Sequence, residues 1–324
     1  MRVLGAQDVI DLLPMRECID LMDEAMRAAS AGRALMPLRA KMDLPTSGML
    51  GWMPGQLDDA GVFGMKLVSV FEENFAAGMH SHNGVVVLFE GDHGTPYAVV
   101  DAAEITAIRT AAASALATRL LARPDTSVLT LMGYGAQGRQ HLESMLCVRE
   151  FDEVRIWGRD PERAANFATE WGAKFGTSII PVMDQRAAVE GADVICTVSG
   201  APEPIVFGDW LAPGQHINAV GTSFPGRREL DGAAIARSRL FVDYEVGARA
   251  QAGEFQMARD EGAITDEHIV GEIGEVASGE VQGRLTPEDV TVYKSLGLVV
   301  QDLAAAQYVV QKAAAIDRGT LADF

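Results

Sequence analysis

A chain of 324 residues, 48% of them hydrophobic, is long enough for two domains with separate cores. Its formal charge of −18 argues against nucleic acid and anionic membrane surfaces as partners. No apolar run approaches the ~20 residues of a membrane span, and the opening Met1-Arg-Val-Leu-Gly-Ala-Gln-Asp lacks the marks of a signal peptide.

Pro14 opens a helical pattern in which Cys18, Ile19, Met22, Ala25, Met26 and Ala29 share one face, with a stop at Gly32. Short β-prone runs follow over 38–44, 49–53, 61–71, 84–89 and 97–100. Gly, Pro, Asp and Asn turns separate them, which predicts a mostly antiparallel sheet. Asp101 is placed to cap a helix over 102–121, ahead of Pro124. From Ser127 the pattern becomes strand–helix repeated, with strands expected at 127–132, 154–157, 193–198, 216–220 and 240–243. Such alternation predicts an α/β fold with a Rossmann-type, doubly wound parallel sheet. A last helix, from about Ser295 to Ala315, is expected to leave that sheet and return to the N-terminal region. The expected boundaries are therefore 1–122, joined by 300–324, and 123–299. Cys18, Cys147 and Cys196 lie far apart and read as buried apolar residues of a reducing, cytoplasmic protein.

The most informative stretch is Ser127-Val-Leu-Thr-Leu-Met-Gly133-Tyr-Gly135-Ala136-Gln137-Gly138, an apolar strand running into a GxGxxG turn and then a helix. Gly133 suits the tight turn, Gly135 the approach of a pyrophosphate, and Gly138 close packing of the helix, whose N-terminus faces the phosphates. A dinucleotide site is the reading. The next strand ends Trp157-Gly158-Arg159-Asp160, where an acidic residue would take the ribose hydroxyls of NAD. Gly158 stands in the acidic place with Arg159 beside it, so NADP(H) is favoured over NAD(H). Asp160 caps the helix opening at Pro161 or contributes to the same site.

Two cations interrupt apolar segments. Lys66 sits within Val62-Phe-Gly-Met-Lys66-Leu-Val and Arg109 within an alanine-rich helix. Each must be balanced by an anion if buried. A substrate carboxylate is the anion expected here, with an internal ion pair or a snorkelling side chain as rivals. His80 and His82 have strand spacing, yet no third ligand accompanies them, and no metal is expected.

Taken together, Gly64-Met-Lys66-Leu-Val, Arg109-Thr-Ala-Ala-Ala-Ser, Gly133-Tyr-Gly-Ala-Gln, Ala192-Asp-Val-Ile, Pro213-Gly-Gln-His-Ile-Asn-Ala-Val-Gly221, Pro225-Gly-Arg-Arg-Glu-Leu and Lys294-Ser-Leu-Gly resemble the ornithine cyclodeaminase/mu-crystallin family. The resemblance implies a homodimer built through the N-terminal substrate-binding domain, with Rossmann domains outside and a pocket between domains. It implies that Arg39, Lys66 and Arg109 hold the carboxylate of an amino or imino acid. It also implies that Ser81, Arg109, Ala136, Gln137, Thr197, Val220 and Ser295 contact the dinucleotide. Where the cyclodeaminases are similar through Gly-Gly-Asp-x-Pro-Gly, this chain has Gly221-Thr-Ser223-Phe-Pro-Gly. Serine cannot replace the aspartate as general base at neutral pH, and the ketimine-reductase branch also has serine there. A glutamate of the cyclodeaminase pocket falls on Gly51.

The expected activity is NAD(P)H-dependent reduction of the C=N bond of a cyclic ketimine or imino acid to an L-amino acid. Lys66 is the expected proton donor, with Ser223 or water as alternatives. A buried Lys flanked by cations titrates nearer neutrality, which suits that role. The rivals are an ornithine cyclodeaminase or alanine-type dehydrogenase, and a non-catalytic, dinucleotide-gated ligand binder.

Overall fold

Strand β1 (Arg2–Leu4) is too short to show in the periodicity, and two helices follow it, α1 (Ala6–Leu12) and α2 (Met15–Ser30). The expected stripe of α2, from Cys18 to Ala29, is buried, and Gly32 lies past its end at a φ of 70°. Strands β2 (Ala34–Leu35), β3 (Ala40–Asp43), β4 (Met49–Leu57), β5 (Val62–Val70), β6 (His82–Glu90) and β7 (Pro96–Asp101) come next. Strands β4 to β7 pair antiparallel in sequence order. Helix α3 (Ala102–Leu121) begins where the Asp101 carboxylate accepts from the Glu104 N–H at 2.8 Å. The computed structural model describes residues 1–323 apart from 46, 59, 60, 76, 78 and 80. His80 therefore lies outside the described residues.

The second sheet contains β8 (Val128–Met132), β9 (Glu153–Trp157), β10 (Ile179–Pro181), β11 (Val194–Thr197), β12 (His216–Ala219), β13 (Ser238–Val242), β14 (Ile269–Glu272) and β15 (Val290–Lys294). All its pairs are parallel, in the order β10-β9-β8-β11-β12-β15-β13-β14. The order reverses between β8 and β11, which is where an open α/β sheet binds its ligand. Helices α4 (Ala136–Val148) and α5 (Pro161–Phe175) follow β8 and β9. Shorter helices are α6 (Gln185–Val189), α7 (Gly232–Ala236), α8 (Glu245–Gln251), α9 (Gly253–Asp260) and α10 (Ile273–Ser278). The expected strands match five of these eight. β10 is only three residues long, and β14 and β15 were not foreseen.

The last helix, α11 (Val299–Ala315), starts later than the expected Ser295. Asp243 Oδ2 accepts from the N–H groups of Leu296 (2.7 Å) and Gly297 (2.6 Å), and Gly297 has a φ of 81°, so the chain is extended up to Leu298. Helix α11 packs against α2 and on β4, β5 and β6, and β16 (Thr320–Leu321) pairs with β1. The chain divides into two compact units, Met1–Arg109 with Leu298–Phe324, and Thr110–Gly297. The expected boundary at 122 is thus displaced into α3. The second half of α3 contributes to the core of the second unit, where Thr118 Oγ1 accepts from Asn218 Nδ2 at 2.9 Å. Because that helix is apolar on every side, its sequence carries no sign of the change.

In the first sheet, alternate residues face α11 and are fully covered, Val86, Leu88, Ala98 and Val100 among them. The opposite face carries cross-strand rows Trp52–Leu67–Val85 and Pro54–Met65–Val87–Val99, and Phe63 stacks on Phe89 with ring centroids 5.3 Å apart. These apolar residues are half-buried. Among the described residues no helix is long and apolar enough to cross a membrane.

Candidate active site

Strand alternation turns Lys66 toward α11, in register with Met53 on β4 and Val86 on β6. Lys66 and Arg109 are each 4% exposed, as expected of cations within apolar segments. Their anion is internal. Asp302, fully buried on α11, accepts from Lys66 Nζ at 3.2 Å and from Arg109 Nε at 2.9 Å, both through Oδ1. Gln301 Oε1 takes a further bond from the Arg109 guanidinium at 2.6 Å and from the Leu298 N–H at 3.1 Å. This corrects the expectation that substrate alone balances the two cations.

The correction is partial, because two positive charges face one negative charge and a surplus of one remains. Arg39, half-buried just ahead of β3, is close enough to act on Lys66 electrostatically. Burial pushes the Lys66 ammonium down to about 8, Arg109 and Arg39 act in the same direction, and Asp302 opposes them. The cluster is a buried, positively biased site with a proton held near neutrality. Asp302 and Gln301 were missed, although an Asp within Val299-Val-Gln-Asp302-Leu-Ala breaks an apolar pattern just as Lys66 does.

In the second unit, residues expected at the dinucleotide collect at the carboxyl ends of the parallel strands. Gly133, Gly158 and Ser295 directly follow or nearly follow β8, β9 and β15, Thr197 ends β11, and Val220 follows β12. Gly133 has a φ of 136°, and a Cβ there would lie 2.8 Å from the Val198 carbonyl oxygen. A Cβ on Gly138 would collide with the Gly133 carbonyl, so both glycines are needed for the turn to close onto α4. Gly135 occupies the N-cap of α4, which has no side-chain cap, and Ala136 and Gln137 form its first turn. Gln137 Oε1 and Ser295 Oγ are buried without a hydrogen-bond partner among the described residues. Uncapped N–H groups, a glycine cradle and unspent polar atoms at a switch point fit a dinucleotide.

Gly158 is set by packing: a Cβ there would run into the Tyr134 ring. Asp160 caps α5, its Oδ1 accepting from the N–H groups of Glu162 (3.0 Å) and Arg163 (3.2 Å), whereas Arg159 is exposed. Ser223 lies half-buried in the loop after β12. Beneath that loop is a network that sequence reasoning passed over. Glu229 accepts from Ser199 Oγ at 2.6 Å and from the N–H groups of Ser199 (2.8 Å) and Gly221 (2.7 Å). Lys294 pairs with Glu254 at 2.8 Å and donates to the Thr222 carbonyl at 2.6 Å. Burial pushes the Glu229 carboxyl up to about 7, against the Ser199 hydrogen bond and Lys294.

Ser81 belongs to the first unit, ahead of β6 and half-buried, with its Oγ 2.9 Å from His82 Nδ1. Arg39, Lys66 and Arg109 lie in that same unit, and Ser223 with the other dinucleotide residues in the second. Among the described residues no group of three His, Cys, Asp or Glu is placed to hold a metal.

The model of the ornithine cyclodeaminase/mu-crystallin family matches residues 1–316. The ketimine reductase mu-crystallin of Mus musculus is 38% identical over 281 residues, covering 86% of this chain and 85% of that protein. The solved Delta(1)-pyrroline-2-carboxylate reductase of Thermococcus litoralis, in complex with NADH and L-proline, is 33% identical with a TM-score of 0.96. The match covers 99% of this chain and 100% of that one. An archaeal alanine dehydrogenase dimer with bound NAD is 31% identical with a TM-score of 0.94, over 100% of this chain and 99% of that one.

Proposed function

Because this chain belongs to the ornithine cyclodeaminase/mu-crystallin family, we propose that it is an NAD(P)H-dependent oxidoreductase reducing the C=N bond of a cyclic ketimine or imino acid. The substrate is of the pyrroline or piperideine carboxylate kind and the product an L-amino acid. The observation that carries this reading is the buried Lys66–Arg109–Asp302 cluster with its surplus positive charge. That surplus complements the substrate carboxylate, held by Arg39, Lys66 and Arg109, and the hold fixes the imine for attack. Lys66, shifted to about 8, gives the imine nitrogen its proton, which makes the carbon electrophilic. The dinucleotide, when bound, supplies the hydride.

The cofactor is held by the Gly133–Gly138 turn and by Thr197, Val220 and Ser295 at the strand ends. NADP(H) is the preferred form: Tyr134 packs where an acidic residue at 158 would need room, the Asp160 carboxylate is engaged in a helix cap, and Arg159 is exposed. Ser223 supplies no base for cyclising deamination. The half-buried apolar face of the first sheet supports a homodimer. Three cysteines without a disulfide among the described residues support a cytoplasmic setting.

Purified protein incubated with cyclic ketimine carboxylates, or with pyruvate and ammonia, is expected to oxidise NADPH faster than NADH. Arg159→Ala is expected to erase most of that preference, a change of ~1–3 kcal/mol for a charge-assisted hydrogen bond. L-Ornithine with oxidised cofactor is expected to release no ammonia above background. Turnover of ornithine without reduction of any imine would replace this reading with the cyclodeaminase one.

A further inference from the structure

We propose that Asp302 is a positioning residue of the site: its one carboxylate aims Lys66 and Arg109 and keeps the Lys66 ammonium charged for proton delivery. The inference rests on the reductase reading for its kinetics, but not for its electrostatics.

The geometry starts from a single oxygen. Oδ1 receives both cations, while Oδ2 is buried with no hydrogen-bond partner among the described residues. Sharing one acceptor draws Lys66 Nζ and Arg109 Nε to the same point, from β5 and α3 respectively. Helix α11 holds that point still. Gln301, the preceding residue, bonds the other arm of the Arg109 guanidinium and is itself tied to the Leu298 N–H and to Met26 Sδ at 3.2 Å. The free Oδ2 leaves the carboxylate able to take another donor without releasing either cation.

The charges facing Lys66 act in two directions. Its register neighbours Met53 on β4 and Val86 on β6 are uncharged. Arg109 from α3 and Arg39 from the segment before β3 favour loss of its proton, as does burial, and Asp302 from α11 favours retention. Without Asp302 the balance tips toward the neutral amine, and a neutral amine has no proton to give. With two carboxylates there it would hold its proton too tightly. One carboxylate against two guanidinium groups leaves the ammonium able to donate near neutral pH.

The test uses the opposite signs that this balance requires. The chain has five lysines, so 13Cε-lysine labelling with Lys66→Met for assignment resolves the Lys66 titration directly in the intact protein. Asp302→Asn is expected to move that titration to lower pH by roughly 1–3 units, and Arg109→Met to move it to higher pH. The alkaline limb of kcat for imine reduction is expected to follow in both variants, and Asp302→Glu to restore it. If Asp302→Asn does not fold, Arg109→Met still decides the sign of the balance, and Asp302→Glu is expected to leave the titration near its wild-type place. A Lys66 titration that stays put in Asp302→Asn and in Arg109→Met, with activity lost only in proportion to folded protein, would overturn the proposal. If the wild type reduces no imine while Lys66 titrates as described, the reductase reading fails and the electrostatic role of Asp302 stands.

Discussion

One carboxylate serving two cations makes the three residues unequal in what their loss does to the fold. Lys66→Met leaves Asp302 paired with Arg109, and Arg109→Met leaves it paired with Lys66. Each is expected to cost little stability, whereas Asp302→Ala strands two buried cations and is expected to cost ~3–5 kcal/mol. Urea midpoints of the three variants, read at equal m-values, check this order; equal losses would mean that the cluster is not the shared ion pair described. The pH dependence has a definite sign. Unfolded Lys66 keeps its proton to its ordinary 10.5 while the folded side chain releases it at about 8, so between those values the unfolded state binds more protons. The stability of the wild type relative to Lys66→Met is therefore expected to rise with pH across that window. Lys66 and Arg109 were legible because a charge within an apolar run demands an explanation. Their partner was not paired with them, since Asp302 lies 236 positions from Lys66 and only the fold brings it there.

At the scale of elements, the turn between β8 and α4 is the most demanding piece of backbone in the second unit. Gly138→Ala would drive a methyl group into the Gly133 carbonyl. Backbone cannot yield as a side-chain tip does, and the variant is expected to lose ~1–3 kcal/mol of stability as an overpacked site and to bind dinucleotide more weakly. Thermal melts with and without NADPH measure both, and an unchanged ligand-induced shift would remove this turn from the cofactor site. The turn was legible because its chemistry is local: a strand, three spaced glycines, a helix. The insertion of β15 between β12 and β13 was not, because strand order is set by long-range pairing. The start of α11 was misjudged for a similar reason, as the Asp243 carboxylate that keeps Leu296 and Gly297 out of the helix comes from a distant loop.

For the whole molecule, the consequential surface is the face of the first sheet turned away from α11. A half-buried row of Trp52, Leu67 and Val85 beside Met65 and Val87 is the kind of contiguous apolar surface that marks an interface. In the proposed homodimer, Leu67→Lys together with Val87→Lys is expected to give monomer while leaving the α11-facing core and the Asp302 cluster in place. Sedimentation across a dilution series reads the change. A double variant that sediments like wild type would rule this face out as the interface. Which face this would be was not readable from the sequence, because Val62-Phe-Gly-Met and Gly84-Val-Val-Val-Leu-Phe are apolar on both faces.

The interrupted first unit also has a consequence for biogenesis. A ribosome emits β1 to β7 first, then the whole of Thr110–Gly297, and only afterwards α11 and β16. The usual order, in which the N-terminal body folds while the rest is being made, cannot be completed for the first unit, because α11 follows the second unit in the chain. The contiguous second unit has all its strands in hand while the first still lacks the helix that covers β4, β5 and β6. During that interval Lys66 and Arg109 have no Asp302, and Val86, Leu88 and Val100 have no cover. The nascent chain thus carries an uncovered apolar sheet face with two unbalanced cations until α11 has been made, and that is the stage at which a chaperone has most to protect.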